Sequence, residues 1–497
     1  MRLITFLILS YFYLGNLLAQ PHYSDEWWPF GTNELAGTPG YGNAWLHFHD
    51  GTTTIVPTAL QMNFESTVAT ACDTAGHILF YSNGCEIRGA NGNLLENGED
   101  LNPGELHDWV CANGYSVPRG MLALPWPGSA SRWILLHIGG NYDPVRKLIY
   151  GPFYYTEIDM AANGGNGEVI SKNNVLSTGD LEPFAVVRHG NGRDSWVVVP
   201  EYNTNKYQLW LLTPAGMQFI DSQEIGPFIG CRRIGASLFS PDGSKYARTN
   251  NCAATVLDFD RCSGQFSHPV FLERSVGTLG GGGLAFSNNN RWLYATSDLS
   301  IFRADLESST PFLDSLFKRP YYEGESQYVY STSLAYMQLA PDGKIYMNAR
   351  HRERYFSSLT IEEDTFYFKP VGLPLPVATV RTLPYFPNFR LYDLSGSACD
   401  TLGINGPVSL AFDPFQSNLL EVLPNPFTHH LTVVMNTTLP RSIFRLYDQL
   451  GRLVQEANIV WGTNTINSEY ISPGIYFWEV VASEGRVKSG KCIKLAE

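Results

Sequence analysis

A chain of 497 residues exceeds what one compact core organises, so two or more domains are expected. Hydrophobic residues at 44% and charged residues at 16% exclude a disordered or coiled-coil chain. A net charge of −13 disfavours nucleic acid as a ligand and is consistent with a soluble acidic surface.

Residues 1–19 carry a basic Arg2, an apolar run from Leu3 to Leu14 and a small residue at Ala19. This order reads as a cleavable signal peptide with Gln20 as the mature N-terminus, because the run is too short to span a bilayer. No later stretch approaches the length of a transmembrane helix. In an exported chain the eight cysteines meet an oxidising compartment. None forms a CxxC pair, so a structural zinc site has little support.

From residue 20 to 394 one pattern recurs six times: a strand of small and apolar residues, a turn, then an aromatic-rich strand. The copies begin at Thr67, Met121, Phe184, Ala236, Leu284 and Met337. Their turns centre on Gly76, Gly128, Gly192, Gly243, Asn290 and Gly343, 47 to 64 residues apart. Four strands of about 5–6 residues with their connections fill such a period, which predicts a blade of a β-propeller. One four-stranded sheet cannot bury both faces alone, so blades stack around an axis. A seventh blade is expected to mix the chain ends, pairing Trp45–Phe48 and Thr53–Val56 with Leu383–Tyr392. Seven blades is the count, with six or eight as alternatives. The hairpins Ser240-Pro241-Asp242-Gly243 and Ala340-Pro341-Asp342-Gly343 resemble those of TolB-like and YVTN-like propellers, a resemblance that implies the fold and not the ligand.

Residues 395–417, rich in Gly, Ser, Pro and Asp, read as a linker. From 418 to 497 alternating segments at Leu431–Met435, Ser442–Tyr447, Leu453-Val454, Gly474–Ala482 and Lys488–Leu495 predict a small immunoglobulin-like β-sandwich. Leu423-Pro424-Asn425-Pro426-Phe427, Leu446-Tyr447-Asp448 with Gly451-Arg452, Ser472-Pro473-Gly474-Ile475-Tyr476 and a terminal Gly490-Lys491-Cys492-Ile493 follow in order. This segment resembles the type A sorting domain of the type IX secretion system of the Bacteroidota. The resemblance implies recognition by the outer-membrane translocon, removal of the domain, and a product released or attached at the cell surface. Cys492 stands where an apolar strand residue is expected, a place a thiol can fill as a small hydrophobe.

Nucleophile elbows, metal-ligand pairs, phosphate loops and calcium-type acidic loops are missing from the propeller sequence. No cofactor or metal is predicted, with calcium the one ion left open. Residues just before the innermost strands ring the channel mouth, and these include Arg119, Glu182, Arg233 and Arg381. The second-to-third loops add Asn250, Asp298 and Arg350. Such a mouth could hold a carboxylate or a sulfated sugar. The alternative is that these charges pair with one another or face solvent. The same topology pairs Cys85 with Cys111 and Cys231 with Cys252, whereas Cys252 and Cys262 flank one extended strand and lie beyond bridging distance. The stretch from Tyr81 to Gly104 is an enlarged, Asn- and Gly-rich blade edge. The preferred function is a non-catalytic binding module for a glycan, peptide or protein. A lactonase-like hydrolase with a channel metal and a structural surface-layer component are the competing classes.

Overall fold

The computed structural model describes residues 24–32, 40–49, 51–58, 60, 62–143, 147–228, 235–249, 253–273, 282–297, 299–318, 334–349, 352–362, 365–379, 381–402, 420–423, 427–435, 442–448, 452–482 and 485–495. Residues 1–19, expected as a signal peptide, lie outside them. The chain divides into two compact units at Gly406/Pro407.

In the first unit, alternation and turn chemistry produce seven antiparallel sheets in chain order. Blade 1 holds Trp27–Thr32, Gly42–His49 and Thr52–Thr58, and blade 2 holds Ala69–Cys72, Ile78–Ser82 and Ile87–Gly89. Blade 3 runs Met121–Pro125, Arg132–Asp143, Lys147–Asp159 and Glu168–Ser177, and blade 4 runs Ala185–Arg188, Ser195–Pro200, Lys206–Thr213 and Gly216–Glu224. Blade 5 is Ser237–Phe239, Lys245–Thr249, Ala254–Phe259 and Phe266–Leu272. Blade 6 is Leu284–Phe286, Trp292–Thr296, Ser300–Asp305 and Asp314–Lys318, and blade 7 is Leu334–Leu339, Ile345–Ala349, Glu353–Glu362 and Thr365–Thr379. The hairpin turns behave as their residues dictate. Gly243 and Asn290 adopt φ of 73° and 62°, and Asp242 Oδ1 accepts from Ser240 Oγ at 2.6 Å and from Ser244 N at 3.0 Å.

Each sheet packs its buried residues on the next. Trp45 meets Tyr81 between blades 1 and 2, Phe80 meets Trp133 between 2 and 3, and Phe153 meets Phe184 between 3 and 4. Trp196 and Tyr207 meet Phe259 and Tyr246 between 4 and 5. Ala247 clusters with Phe286 between 5 and 6, and Tyr294 with Met337 between 6 and 7. Phe30 on Phe356, at 5.9 Å, and Trp28 on Tyr346, at 6.1 Å, return blade 7 to blade 1. The ring is closed, and the unit is a seven-bladed β-propeller.

The closing blade differs from expectation. Trp45–Phe48 and Thr53–Val56 do pair with each other, but the strand on their other side is Trp27–Thr32. Leu383–Tyr392 joins no sheet. Its Pro384 and Pro387 have no N–H to give to a ladder, which weakens any sheet pairing there. The segment instead runs through the middle of the ring. Thr382 Oγ1 donates to the Phe64 carbonyl, just ahead of the innermost strand of blade 2. Tyr385 Oη accepts from Val186 N of blade 4, and Phe386 stacks on Trp28 of blade 1 at 6.4 Å. Asn388 Nδ2 donates to Pro241 O, in the first hairpin of blade 5, at 2.7 Å. Residues 382–387 and 389 are buried. Beyond them Leu394 N donates to Gly190 O, and a disulfide joins Cys399 to Cys262. The start of the stretch expected as a linker is therefore held on the propeller.

The second unit packs a sheet of Leu420–Leu423, His430–Met435 and Gly462–Asn467 on one of Leu453–Ile459, Ser442–Tyr447, Gly474–Ala482 and Gly485–Lys494. Phe427, Leu431, Val433, Phe444, Trp478, Val480 and Cys492 fill the space between. Cys492 is fully buried, and burial pushes its thiol up to about 11, so it sits there as a neutral apolar group.

Phe386→Ala removes a ring that holds the centre against Trp28. A loss of about 3 kcal/mol is expected, read in urea unfolding as a lower midpoint at unchanged slope.

Candidate functional site

Among the described residues, Arg119, Glu182 and Arg381 do not gather into one open cluster. Arg119 is 5% exposed, at φ 54°, and its guanidinium lies 4.4 Å over the Tyr385 ring. Its Nη1 donates to Met337 O at 3.1 Å, so this side chain ties blade 3 to blade 7 across the centre. Glu182 takes a two-point contact from Arg248, Nε to Oε2 at 2.9 Å and Nη2 to Oε1 at 2.9 Å, with both side chains under a tenth exposed. Arg248 also donates to Thr204 O and Glu201 O. Arg381 is exposed, at φ 51°. Arg233, Asn250, Asp298, Arg350, Cys231 and Cys252 lie outside the described residues.

The mouth face carries a different feature. The chain between Tyr81 and Met121 forms an insertion closed by a disulfide from Cys85 to Cys111, with Cα atoms 5.7 Å apart. Leu101 N donates to Cys85 O, and Asn102 Nδ2 to Gly84 O. The insertion lies along the outer strand of blade 3. Asn97 Nδ2 donates to Val169 O, Lys172 Nζ reaches Glu99 Oε1 at 2.8 Å, and Asn102 N donates to Asn173 Oδ1. Below it His137 is fully buried, with Nδ1 2.7 Å from Asn102 Oδ1 and Nε2 2.9 Å from Thr156 Oγ1. A neutral ring satisfies both neighbours, donating through Nδ1–H and accepting at Nε2. Burial lowers its pKa to about 3, which keeps it neutral.

The insertion ends in a short helix, Glu105–Val110, that carries Trp109. Beside it the second and third strands of blade 3 overhang the ring, because Arg132–Asp143 and Lys147–Asp159 are 12 and 13 residues long. Tyr115 Oη accepts from Gly140 N at 2.7 Å and fixes that overhang to the insertion. Tyr142 is 42% exposed and Trp109 57% exposed, and their rings meet edge-on with centroids 5.5 Å apart. Two large exposed rings held by a disulfide and a buried hydrogen-bond network form a rigid amphipathic edge. The polar loop from Tyr81 to Gly104 is legible in sequence as an unusual blade edge. Trp109 just beyond it is not, because its exposure depends on where a six-residue helix docks.

Two further features escape the sequence reading. Cys262–Cys399 pairs a blade with a segment that reads as linker, and only the path of residues 382–394 brings them together. Among the described residues one group offers three metal-ligating side chains, Glu26, His47 and His49. Its legible signal is the alternation His47-Phe48-His49, which puts both imidazoles on one face of a strand.

In the second unit Pro473 and Gly474 open the strand Gly474–Ala482, and Tyr476, 8% exposed, donates from Oη to Ser472 O at 2.7 Å. Asp448 accepts from Arg452 N and Nε at 3.0 and 2.7 Å, fixing the turn after Tyr447. Phe427 N donates to Ile493 O and Leu495 N to Phe427 O, which locks the start of the domain to its last strand. Pro424, Asn425, Pro426 and Gly451 lie outside the described residues. Residues 421–494 match the secretion system C-terminal sorting domain. The C-terminal unit is a type IX sorting domain. Such a domain marks a protein that is secreted or attached at the cell surface, and among the described residues no helix is long and apolar enough to cross a membrane.

No curated protein matches the chain. Similar solved structures include a protein from Lactobacillus plantarum at 12% identity, covering 90% of this chain and 100% of that one, with a TM-score of 0.37. A putative 6-phosphogluconolactonase from Bacteroides uniformis is similar at 11% identity over 89% and 100%, with a TM-score of 0.35. PorZ, a surface component of the type-IX secretion system of Porphyromonas gingivalis, is similar at 15% identity over 92% of this chain and 68% of that chain, with a TM-score of 0.28. These are distant likenesses, and the ring rests on its own strand order.

His137 gives the insertion a pH dependence of known sign. Its folded pKa lies below the unfolded value of about 6.5, so its contribution is full above that pH and is lost as pH falls toward 3. In denaturant melts between about pH 6 and pH 4, wild-type stability should fall by about 1.4 kcal/mol per unit more than that of His137→Gln.

Proposed function

We propose that the propeller is a non-catalytic binding module, carried out of the cell by its sorting domain, that takes an extracellular glycan on the Trp109–Tyr142 edge. The observation that carries this reading is the pair of exposed rings 5.5 Å apart on a disulfide-closed support. Aromatic faces stack on the C–H faces of sugar rings, and Trp and Tyr lose little conformational entropy in doing so. Fixing the support in advance removes part of the ordering cost of binding. Peptide and protein ligands remain within the same class of function, but two rings on a narrow tip suit a sugar better than an extended interface of standard size. A hydrolase with a channel metal draws less support, because Thr382 to Phe389 occupy the centre where its ligands would converge.

The mature protein is titrated with a panel of defined oligosaccharides by calorimetry. At least one should bind, and Trp109→Ala should weaken it by about 30-fold, as expected for loss of an aromatic anchor worth ~2 kcal/mol. Absence of binding across the panel, or full affinity in Trp109→Ala, sinks this reading. Self-assembly of the purified protein into ordered layers would favour a structural surface role instead.

A further inference from the structure

On the face of the ring opposite the mouth, blade 1 brings together a carboxylate and two imidazoles. Glu26 leads into the strand Trp27–Thr32, and His47 and His49 end the neighbouring strand Gly42–His49. The register sets Trp27 opposite His47, and Phe48 N donates to Glu26 O at 2.9 Å. Alternate residues of a strand share a face, so both imidazoles stand on one side with Trp27, and Glu26, in the bend just before its strand, brings its carboxylate to them. Glu26 Oε2 lies 3.8 Å from His47 Nε2 and 3.5 Å from His49 Nδ1. The ligand atoms of all three fall within 4.8 Å of one another.

The His47 spacing is too long for a hydrogen bond, and the His49 spacing lies at the outer limit of one. They are close to what a tetrahedral ion requires. Bonds of about 2.0–2.2 Å to imidazole nitrogen and carboxylate oxygen place neighbouring ligands roughly 3.3–3.5 Å apart. Burial acts in the same direction. The Glu26 side chain is 5% exposed, and an isolated carboxylate taken out of water needs a cation or a proton. The adjacent Asp25 holds Arg390, with Oδ2 to Nη1 at 2.7 Å, so the groups that face Glu26 most closely are the imidazoles. His47 is fixed from its other side by the Trp27 ring, stacked at 3.7 Å and 11°, while Trp27 Nε1 donates to Gly76 O of blade 2 at 3.0 Å. Outer contacts of this kind hold a ligating histidine in orientation. The His49 side chain is 54% exposed, which leaves an entry path and a fourth position for water.

We propose that Glu26, His47 and His49 form a binding site for a divalent transition-metal ion, with zinc the ion the set suits, and that the bound ion clamps the blade at which the ring closes. Two neutral imidazoles and one carboxylate are borderline ligands, a set that disfavours calcium and magnesium, which take oxygen. The ion would join the lead-in of one strand to the end of the next, beside the first hairpins of blade 2 at Gly76 and of blade 7, where Thr53 Oγ1 meets Asp342 Oδ2 at 3.1 Å. Its effect is to stabilise the propeller in proportion to its occupancy. The site is separate from the aromatic edge, so either proposal can fail alone.

The full mature chain, purified without a polyhistidine tag and stripped with a chelator, is titrated with Zn²⁺ alone by calorimetry. Bound metal is counted by elemental analysis, and melting temperature is followed with and without zinc. One zinc per chain is expected, with a higher melting temperature, and His49→Ala should weaken binding by on the order of 100-fold and abolish the thermal shift. His49 is half-exposed at a strand end, so its replacement leaves the inter-blade packing in place, and an unchanged melting temperature of the metal-free variant verifies that. His47→Ala should behave alike in zinc binding. Absence of stoichiometric zinc in the wild type, or undiminished affinity in His49→Ala, overturns the proposal.

Discussion

Everything in the propeller depends on one constraint: a sheet with two apolar faces must be covered on both, and in this chain only the next sheet can do it. The inter-blade contacts are dominated by large rings, set against other rings, as with Phe80 on Trp133, or beside small residues, as with Phe286 and Ala247. Because such packing has no natural end in a row, it terminates by returning to its start. The return is made by Trp28 and Phe30 on Tyr346 and Phe356. Side-chain packing, more than shared strands, closes this ring.

A second consequence concerns the centre. A ring of seven sheets leaves an axial space, and here residues 382–389 enter it and hold Arg119 inside. The channel mouth that topology alone would offer to a ligand is therefore used for cohesion. Arg119 Nη1 on Met337 O and the Glu182–Arg248 pair link different blades through charged groups that have lost most of their water. The exposed aromatic edge lies outward, at the disulfide-closed insertion and the overhanging strands of blade 3.

That insertion illustrates how rigidity is built away from a core. Cys85–Cys111 closes its loop, His137 fixes Asn102 from beneath, and Tyr115 holds the hairpin at Gly140. Each is a local device, and together they present Trp109 and Tyr142 as a single edge. At the opposite face the lead-in to blade 1 is held by the Asp25–Arg390 ion pair, and beside it Glu26, His47 and His49 converge.

The sequence carries the β class, the blade period, the turn positions and the sorting domain. These follow from local rules: alternation of two, Gly, Asn and Pro at turns, and short motifs in fixed order. It also determined that Cys85 and Cys111 share a face, since loop topology is set by strand count. Folding in three dimensions sets where Leu383–Tyr392 goes, that Cys399 meets Cys262, that Arg119 faces inward, and that Trp109 faces out beside Tyr142. The physical reason is that these are contacts between residues far apart in the chain, chosen by which surfaces remain once the blades have packed. A segment that joins no sheet carries no periodic signal of its destination. Its place is set by the hole that seven blades leave.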